Sequence, residues 1–356
     1  MKTIVTVSGI RPDFIRMSEV FRRLDAAPWC KHILIHTGQH YDEALSGVFF
    51  KDLDIRKPDY NLSIGSGGKR HYHQQALLGT SIIELFEKES IKPDIVLFLG
   101  DSNSVLASVP LRKEGYKIGH IEAGMRSYDE RMLEEINRKV CDHVSNVLFV
   151  YHENYKQKAL KEGIPKERIH VVGNTIVEPL KKIANLNYTG SPKHIILDIH
   201  RPENFLYKER LQKIIEYANL CSKKYNIPVN MLKFGRTVQA INQHKIPLGE
   251  IELIPLMGYK DFIKAQQDSL FIISDSGTAQ EEPALLKIPV IVPRDFTERP
   301  ESVKNNCSFM LLLETQHNWD LSFEWLQTSR EKISNLWLGS GNTSEQILAH
   351  LKRILQ

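Results

Sequence analysis

Three carboxylates stand out, two of them where an apolar stretch of the chain stops and one on the edge of a helical pattern. Asp101 follows the run IVLFLG, Glu122 ends the run KIGHI among apolar neighbours, and Glu134 precedes Arg138 by four residues in EEINR. A carboxylate set among apolar residues is costly unless it is paired or put to use. Several gathered at one site suit proton shuttling, because burial and neighbouring charge push their pKa values apart. On the helix expected after Glu122, Leu133, Ile136, Val140 and Val144 share one face, with Glu134 and Arg138 on an adjoining edge. That edge either borders a cleft or carries an ordinary surface ion pair.

A second group of residues suits an anionic ligand. The stretch SDSGTAQEE, residues 274 to 282, follows the apolar run LFII and leads into a helical pattern. A strand that ends in Ser276, Gly277 and Thr278 and turns into a helix presents amide N–H groups at the positive end of a dipole, a setting for a diphosphate. Glu282, about one turn further on, is placed to accept from ribose hydroxyls; the alternative is plain helix capping. After PVIVP comes RDFTERPE, where Arg299 can hold two oxygens at once or belong to a solvated loop. The first strand delivers Gly9, Arg11 and Pro12, with Arg16 about a helical turn later, and HIILDI delivers His200. His71 and His73 have no partners at ligand spacing, so no metal site is expected.

Short β-rich runs must position these groups: TIVTV, HILIH, IVLFLG, KIGHI, VLFVY, IHVV, then HIILDI, PVNMLKF, IELIPL, LFIIS and PVIVP. Alternation with helical patterns predicts parallel sheets covered on both faces, and one sheet of that width would be unusual. Two doubly wound halves are therefore expected, 1–172 and 173–340, each with a polar strand end that binds ligand. The last segment, 341–356, predicts a helix with Thr343 and Gln346 at capping-box spacing, packing back on the first half.

The chain has 356 residues, a net charge of +4 and 42% apolar residues, with its basic residues spread among acids rather than clustered. A nucleic-acid partner is not expected from that distribution. Cys30, Cys141, Cys221 and Cys307 are far apart, which predicts unpaired thiols in a reducing cytoplasm. MKTIVTVSGIRPDF is a first strand rather than a signal peptide, and no stretch approaches the roughly 18 apolar residues of a membrane span.

Taken in order, SGIRPDFIRM, HTGQHYD, LGDSNS, HIEAGMRS, EEINR, VVGNT, HRPEN, SDSGTAQEE and RDFTERPE resemble the motifs of the non-hydrolysing UDP-N-acetylglucosamine 2-epimerases over nearly the whole chain. The resemblance implies an α/β, GT-B-like fold: two doubly wound Rossmann-like domains facing an interdomain cleft, usually in a homodimer. It implies Asp101, Glu122, Glu134 and His200 as the catalytic set, the first three as acid/base groups. Arg11, Arg16, His40, Arg138, Ser276, Gly277, Thr278, Glu282 and Arg299 would bind a UDP-sugar. The family eliminates UDP to leave 2-acetamidoglucal and adds it back with the opposite configuration at C2, without a cofactor. Thr278 replaces the family's second glycine, and Phe234-Gly235 replaces its His-Pro. That histidine, and a residue where Asp42 stands, serve allosteric activation in regulated members, so such activation is not expected. The short MRSYDERMLEEINR stretch resembles the capsule and O-antigen branch. A 2-epimerase of another UDP-2-acetamido sugar, as in UDP-N-acetyl-L-fucosamine synthesis, a hydrolysing 2-epimerase, a GT-B glycosyltransferase and a non-catalytic sugar-nucleotide sensor are the competing readings.

Overall fold

The computed structural model of the chain describes residues 1–38, 50, 52–64 and 71–356. Its contacts divide into two units, Met1–Pro179 with Leu338–Gln356, and Leu180–Trp337.

In the first unit the described strands are β1 (Lys2–Ser8), β2 (Cys30–His36), β3 (Tyr60–Asn61), β4 (Ile95–Leu99), β5 (Ile118–Ala123), β6 (Val147–Val150) and β7 (Ile169–Val171). They form one parallel sheet in the order β3-β2-β1-β4-β5-β6-β7. Every residue of β4 and β5 is buried, which is why β4 reads as an unbroken apolar run instead of an alternating one, while β5 carries the buried His120 and Glu122 among its apolar residues. The helix Arg11–Ala26 carries Pro12 in its first turn, where a missing N–H costs nothing. Phe14, Met17, Phe21 and Leu24 form its buried stripe. It ends at Ala27, just before Pro28.

The helix Thr343–Leu355 packs on Arg11–Ala26. The expected capping box is replaced by a longer-range arrangement. Asn342 is the N-cap residue and Gln346 bonds back to it through its amide N–H, 3.1 Å, and its side chain, 2.7 Å. Glu178 receives the Ser344 amide at 2.8 Å and its hydroxyl at 2.6 Å. Thr343 donates instead to the Asn174 carbonyl, 3.2 Å.

The second unit holds β8 (His194–Asp198), β9 (Val229–Leu232), β10 (Glu252–Ile254), β11 (Ser269–Ser274), β12 (Val290–Val292) and β13 (Ser308–Met310), again all parallel, in the order β10-β9-β8-β11-β12-β13. In both sheets the winding reverses once, between β1 and β4 and between β8 and β11, and the crevice outside the strand ends at such a reversal is where open α/β sheets bind ligands. The edge strands β3 and β13, of two and three residues, extend the sheets beyond the runs visible in the sequence. Cys30, Cys141, Cys221 and Cys307 are free and buried. Among the described residues no helix is long and apolar enough to cross a membrane.

Candidate functional site

Pairing register decides which side chains meet at the reversal of the first sheet. Val7 lies opposite Phe98 and Leu99 opposite Ile121, so Gly9, Gly100 and Glu122 come to one level on three adjacent strands. The Gly100 amide donates to the Ile121 carbonyl at 3.0 Å. Gly100 has φ +75, and a Cβ there would sit 3.8 Å from both Asp13 Oδ1 and Glu122 Oε1. Glu122 also lies in the left-handed region, at φ 67, where the β5–β6 register shifts between Ile121 and Ala123. A bulge that forces a non-glycine residue to this conformation re-aims its side chain at a cost in backbone strain.

Two arginines answer the carboxylates. Arg16 ion-pairs with Glu122, and Arg138 with Asp101. Both guanidiniums are almost fully buried, at 5% and 1% exposure. Arg138 also approaches Glu135 at 3.5 Å, while Asn137 Nδ2 donates to the Asp101 carbonyl at 2.8 Å. The third carboxyl, Asp13, is buried on the first turn of Arg11–Ala26, with the Gly9 amide 3.5 Å away. Burial foremost, and then the charge of Asp101, raise its pKa from 3.8 to about 7. The buried hydroxyls of Ser8 and Ser102, at the ends of β1 and β4, make no hydrogen bond among the described residues.

A network lies beneath in which His120, Asp142 and Arg126 are buried and Glu162 is partly exposed. His120 places Nδ1 2.7 Å from Asp142 and Nε2 2.7 Å from the Gly100 carbonyl. Asp142 also pairs with Arg126, 2.7 Å, which in turn meets Glu162 at 2.6 Å. Burial opposes charge on His120, yet Cys141 and Asp142 hold its pKa well above the ordinary value. Burial likewise opposes the Asp142 charge, and the hydrogen bond and charge of His120 with the Arg126 guanidinium outweigh it, lowering that pKa. With both ring nitrogens facing acceptors, a charged His120 donates from each and fixes the turn that carries Asp101.

At the reversal of the second sheet, Asp275 gathers the turn after β8. It accepts from the amides of His200 and Arg201, both at 3.1 Å, and from Asn204 Nδ2 at 2.9 Å. The His200 ring stands 3.0 Å from Asp198, 3.5 Å from Asp275 and against Phe234. Burial disfavours its charge, but those two aspartates raise its pKa. The stretch after Ser274 forms a 3-10 turn, Thr278–Gln280, and then a helix of only five residues, Glu282–Leu286, stopped by left-handed Lys287. Gly277 has an ordinary backbone; what it supplies is space, since a Cβ would lie 2.5 Å from Arg299 Nη1 and 2.8 Å from Glu298. Arg299 is ion-paired with Glu281, 2.9 Å, and Glu298. Glu282 is buried and accepts from Tyr259, 2.9 Å, and Gln266, 3.1 Å.

The structure therefore brings Asp101, Glu122, Arg16 and Arg138 together in the first unit, and Ser276, Gly277, Thr278 and Arg299 in the second, where His200 stands on Asp275 beside Ser276. Arg11 and Glu134 are half-buried near the start of their helices. Arg138 pairs with Asp101 and Glu135 across its helix face. That face is polar and buried, with Glu135, Asn137, Arg138 and Asp142, while Leu133 and Ile136 are 55% and 52% exposed. His40 and Asp42 lie outside the described residues. Among those described, no group of His, Cys, Asp or Glu could hold a metal ion.

Asp13, His120, Asp142 and Asp275 escaped the sequence reading. An acidic residue in a first helical turn is the ordinary choice there, and only the adjacency of β1 and β4 gives Asp13 its setting. His120 stood in view within the HIEAGMRS motif, but its partner Asp142 is 22 residues away.

The chain is similar to known proteins in sequence and in fold. The family model described as UDP-N-acetylglucosamine 2-epimerase matches residues 22–352. A "UDP-N-acetylglucosamine 2-epimerase" of Methanococcus maripaludis is 38% identical, with 98% of each chain covered. A "UDP-2,3-diacetamido-2,3-dideoxy-D-glucuronate 2-epimerase" of Pseudomonas aeruginosa is 33% identical, with 99% of each covered. The crystal structure of Methanocaldococcus jannaschii UDP-GlcNAc 2-epimerase in complex with UDP-GlcNAc and UDP superposes with a TM-score of 0.88 at 32% identity, over 99% of this chain and 100% of that one. The fold is α/β and GT-B-like, and the chain is an enzyme, an isomerase that belongs to the UDP-N-acetylglucosamine 2-epimerase family.

Proposed function

We propose that the chain is a non-hydrolysing UDP-N-acetylglucosamine 2-epimerase that interconverts UDP-N-acetylglucosamine and UDP-N-acetylmannosamine for bacterial surface polysaccharide synthesis. The observation that carries this reading is the set of three carboxyls, buried Asp13 and Glu122 with partly exposed Asp101, and two buried arginines at the first sheet reversal. The C2 hydrogen of a pyranose is barely acidic until UDP departs from C1 and positive charge builds beside it. In the proposed route a carboxylate takes the C2 proton as the C1–O bond to UDP breaks, giving 2-acetamidoglucal and UDP. UDP then adds back to C1 while a proton is delivered to the other face of C2. Each well-placed acid or base is worth on the order of 100-fold to 10,000-fold.

In this reading residues 1–172 carry the chemistry through Asp101, Glu122 and Glu134, and 173–340 bind UDP through Ser276, Gly277, Thr278, His200 and Arg299. The remaining segment, 341–356, packs on the first domain. Glu282 meets the ribose, and Arg11, Arg16, His40 and Arg138 complete the binding set. The enzyme acts as a cytoplasmic homodimer. The exposed Leu133 and Ile136 suit coverage by a second copy, since burying apolar area favours association.

Incubation with UDP-N-acetylglucosamine in D₂O tests the reading: deuterium at C2 of a UDP-N-acetylmannosamine product is expected, and unlabelled sugar nucleotide overturns it. Free UDP accumulating with free N-acetylmannosamine would mean the hydrolysing reaction. A different 2-acetamido sugar is the second reading, favoured by the Pseudomonas relative's name and by Thr278 in place of a glycine. Product NMR across a panel of UDP-sugars decides between them.

A further inference from the structure

An epimerase that lifts a proton from one face of a carbon and returns one to the other finishes each turnover in the wrong state. The base is left protonated and the acid bare, and a second turnover in the same direction needs a proton to pass between them. Asp101 and Glu122, taken as that pair, each already hold an arginine. Asp13 stands apart. The residue is 4% exposed, it ion-pairs with no cation among the described residues, and its carboxyl shares the space beside Gly100 with that of Glu122.

We propose that Asp13 is the proton relay of the site: a carboxylic acid that hands its proton to whichever of Asp101 and Glu122 is bare and takes one from the other. This inference rests on the 2-epimerase reading above. Protons balance in each exchange, because Asp13 returns to the acid form once both transfers are complete. No co-reactant is needed.

The charges facing Asp13 all bear on its protonation. Asp101, from the turn after β4, repels a second negative charge, and burial adds to that. Arg16, one helical turn on, and the amides of Gly9 and Ile10 at the helix start favour the anion. Arg16 is already engaged by Glu122, and the Gly9 contact is long at 3.5 Å. Arg138 lies beyond Asp101 and is neutralised by it. The balance leaves the Asp13 pKa at about 7, where gaining and losing a proton are equally easy at working pH.

Asp13→Asn removes the proton and keeps the shape. The infrared difference spectrum of the full chain, wild type minus variant, should contain a protonated buried carboxyl that disappears as pH rises through about 7. Absence of that band overturns the proposal, whatever sugar the enzyme takes. Kinetics supplies the second readout. In Asp13→Asn the first turnover in a rapid-mixing experiment should stay within a few-fold of wild type while steady-state kcat falls roughly 100-fold, leaving a burst of about one product per site. Equal losses in the two phases, or in neither, overturn the relay. Failure of wild-type C2 exchange would overturn the 2-epimerase reading instead, and with it the relay, while leaving the infrared result as a statement about Asp13 alone. Asp13→Glu should restore part of the steady-state rate.

Discussion

The two sheet reversals share a topology and differ in how their charges are matched. At the first, Arg16 pairs with Glu122 and Arg138 with Asp101 and, at 3.5 Å, Glu135, while Asp13 ion-pairs with no cation among the described residues. At the second, several donor groups converge on Asp275 and on Glu282, and two further carboxylates share one arginine. Asp275 holds two amides and Asn204, Glu282 holds Tyr259 and Gln266, and Glu281 and Glu298 share Arg299. A carboxyl that lacks a cation can change protonation, whereas a carboxylate with its oxygens occupied acts as a strut. Strand order settles where side chains converge, and the count of partners settles which chemistry they can perform.

If that contrast holds, substitutions at the two reversals should fail in different ways. Asp101→Asn and Glu122→Gln are expected to lower kcat about 10³-fold to 10⁴-fold, at the upper end of what a general acid or base supplies. Calorimetric titration with UDP should show affinity within a few-fold of wild type. A loss of UDP affinity as large as the loss in kcat would erase the division between the two regions.

The pH dependence of stability sharpens the same point. Asp13 binds its proton more tightly when folded, with a pKa of about 7 against 3.8. Its contribution is therefore fully present below pH 4, is lost as pH rises from about 4 to 7, and is flat above. Asp13→Asn lacks that slope. Urea titrations of the full chain should show the variant gaining on wild type across this window, by up to about 4 kcal/mol at 1.36 kcal/mol per pKa unit. A constant difference between the two proteins from pH 4 to 8 would place Asp13 among the occupied struts.

Gly277→Ala probes the opposite region. The added methyl must displace the Arg299 guanidinium or Glu298, disturbing a charge-assisted pair worth about 1.5–3 kcal/mol. UDP affinity should fall roughly 10-fold to 100-fold while kcat at saturation moves little, as equilibrium titration and steady-state kinetics would measure.

The apolar runs made the interior of both sheets legible, because strands covered on two faces leave an unbroken signature. The edges were not. Tyr60–Asn61 and Ser308–Met310 are too short to carry a period. Helix Leu133–Val144 reads as amphipathic with an apolar inner face, yet its buried side is polar, because Asp101, His120 and Ser127 supply partners from outside the helix. The carboxylates Asp101 and Glu122 could be picked out by their position at strand ends. Asp13 and Asp275 could not, since their meaning depends on which strands are neighbours and on side chains brought from elsewhere.

The smallest expected effect concerns how each unit is closed. The second unit is one continuous stretch, 180–337, whereas the first is completed by Leu338–Gln356, returning from the far end of the chain. Glu178 makes both bonds to Ser344 at the start of that terminal helix. Its replacement by alanine leaves a buried amide and a hydroxyl without their acceptor, at a cost of about 1–2 kcal/mol. Hydrogen exchange on the full chain should then show faster opening in 343–355 and in the helix Arg11–Ala26 on which it packs. The helix Lys208–Tyr225 of the second unit should keep its wild-type protection. Equal acceleration in both units would mean that they open as one cooperative body, and the contrast between a returning segment and a continuous one would then carry no energetic weight.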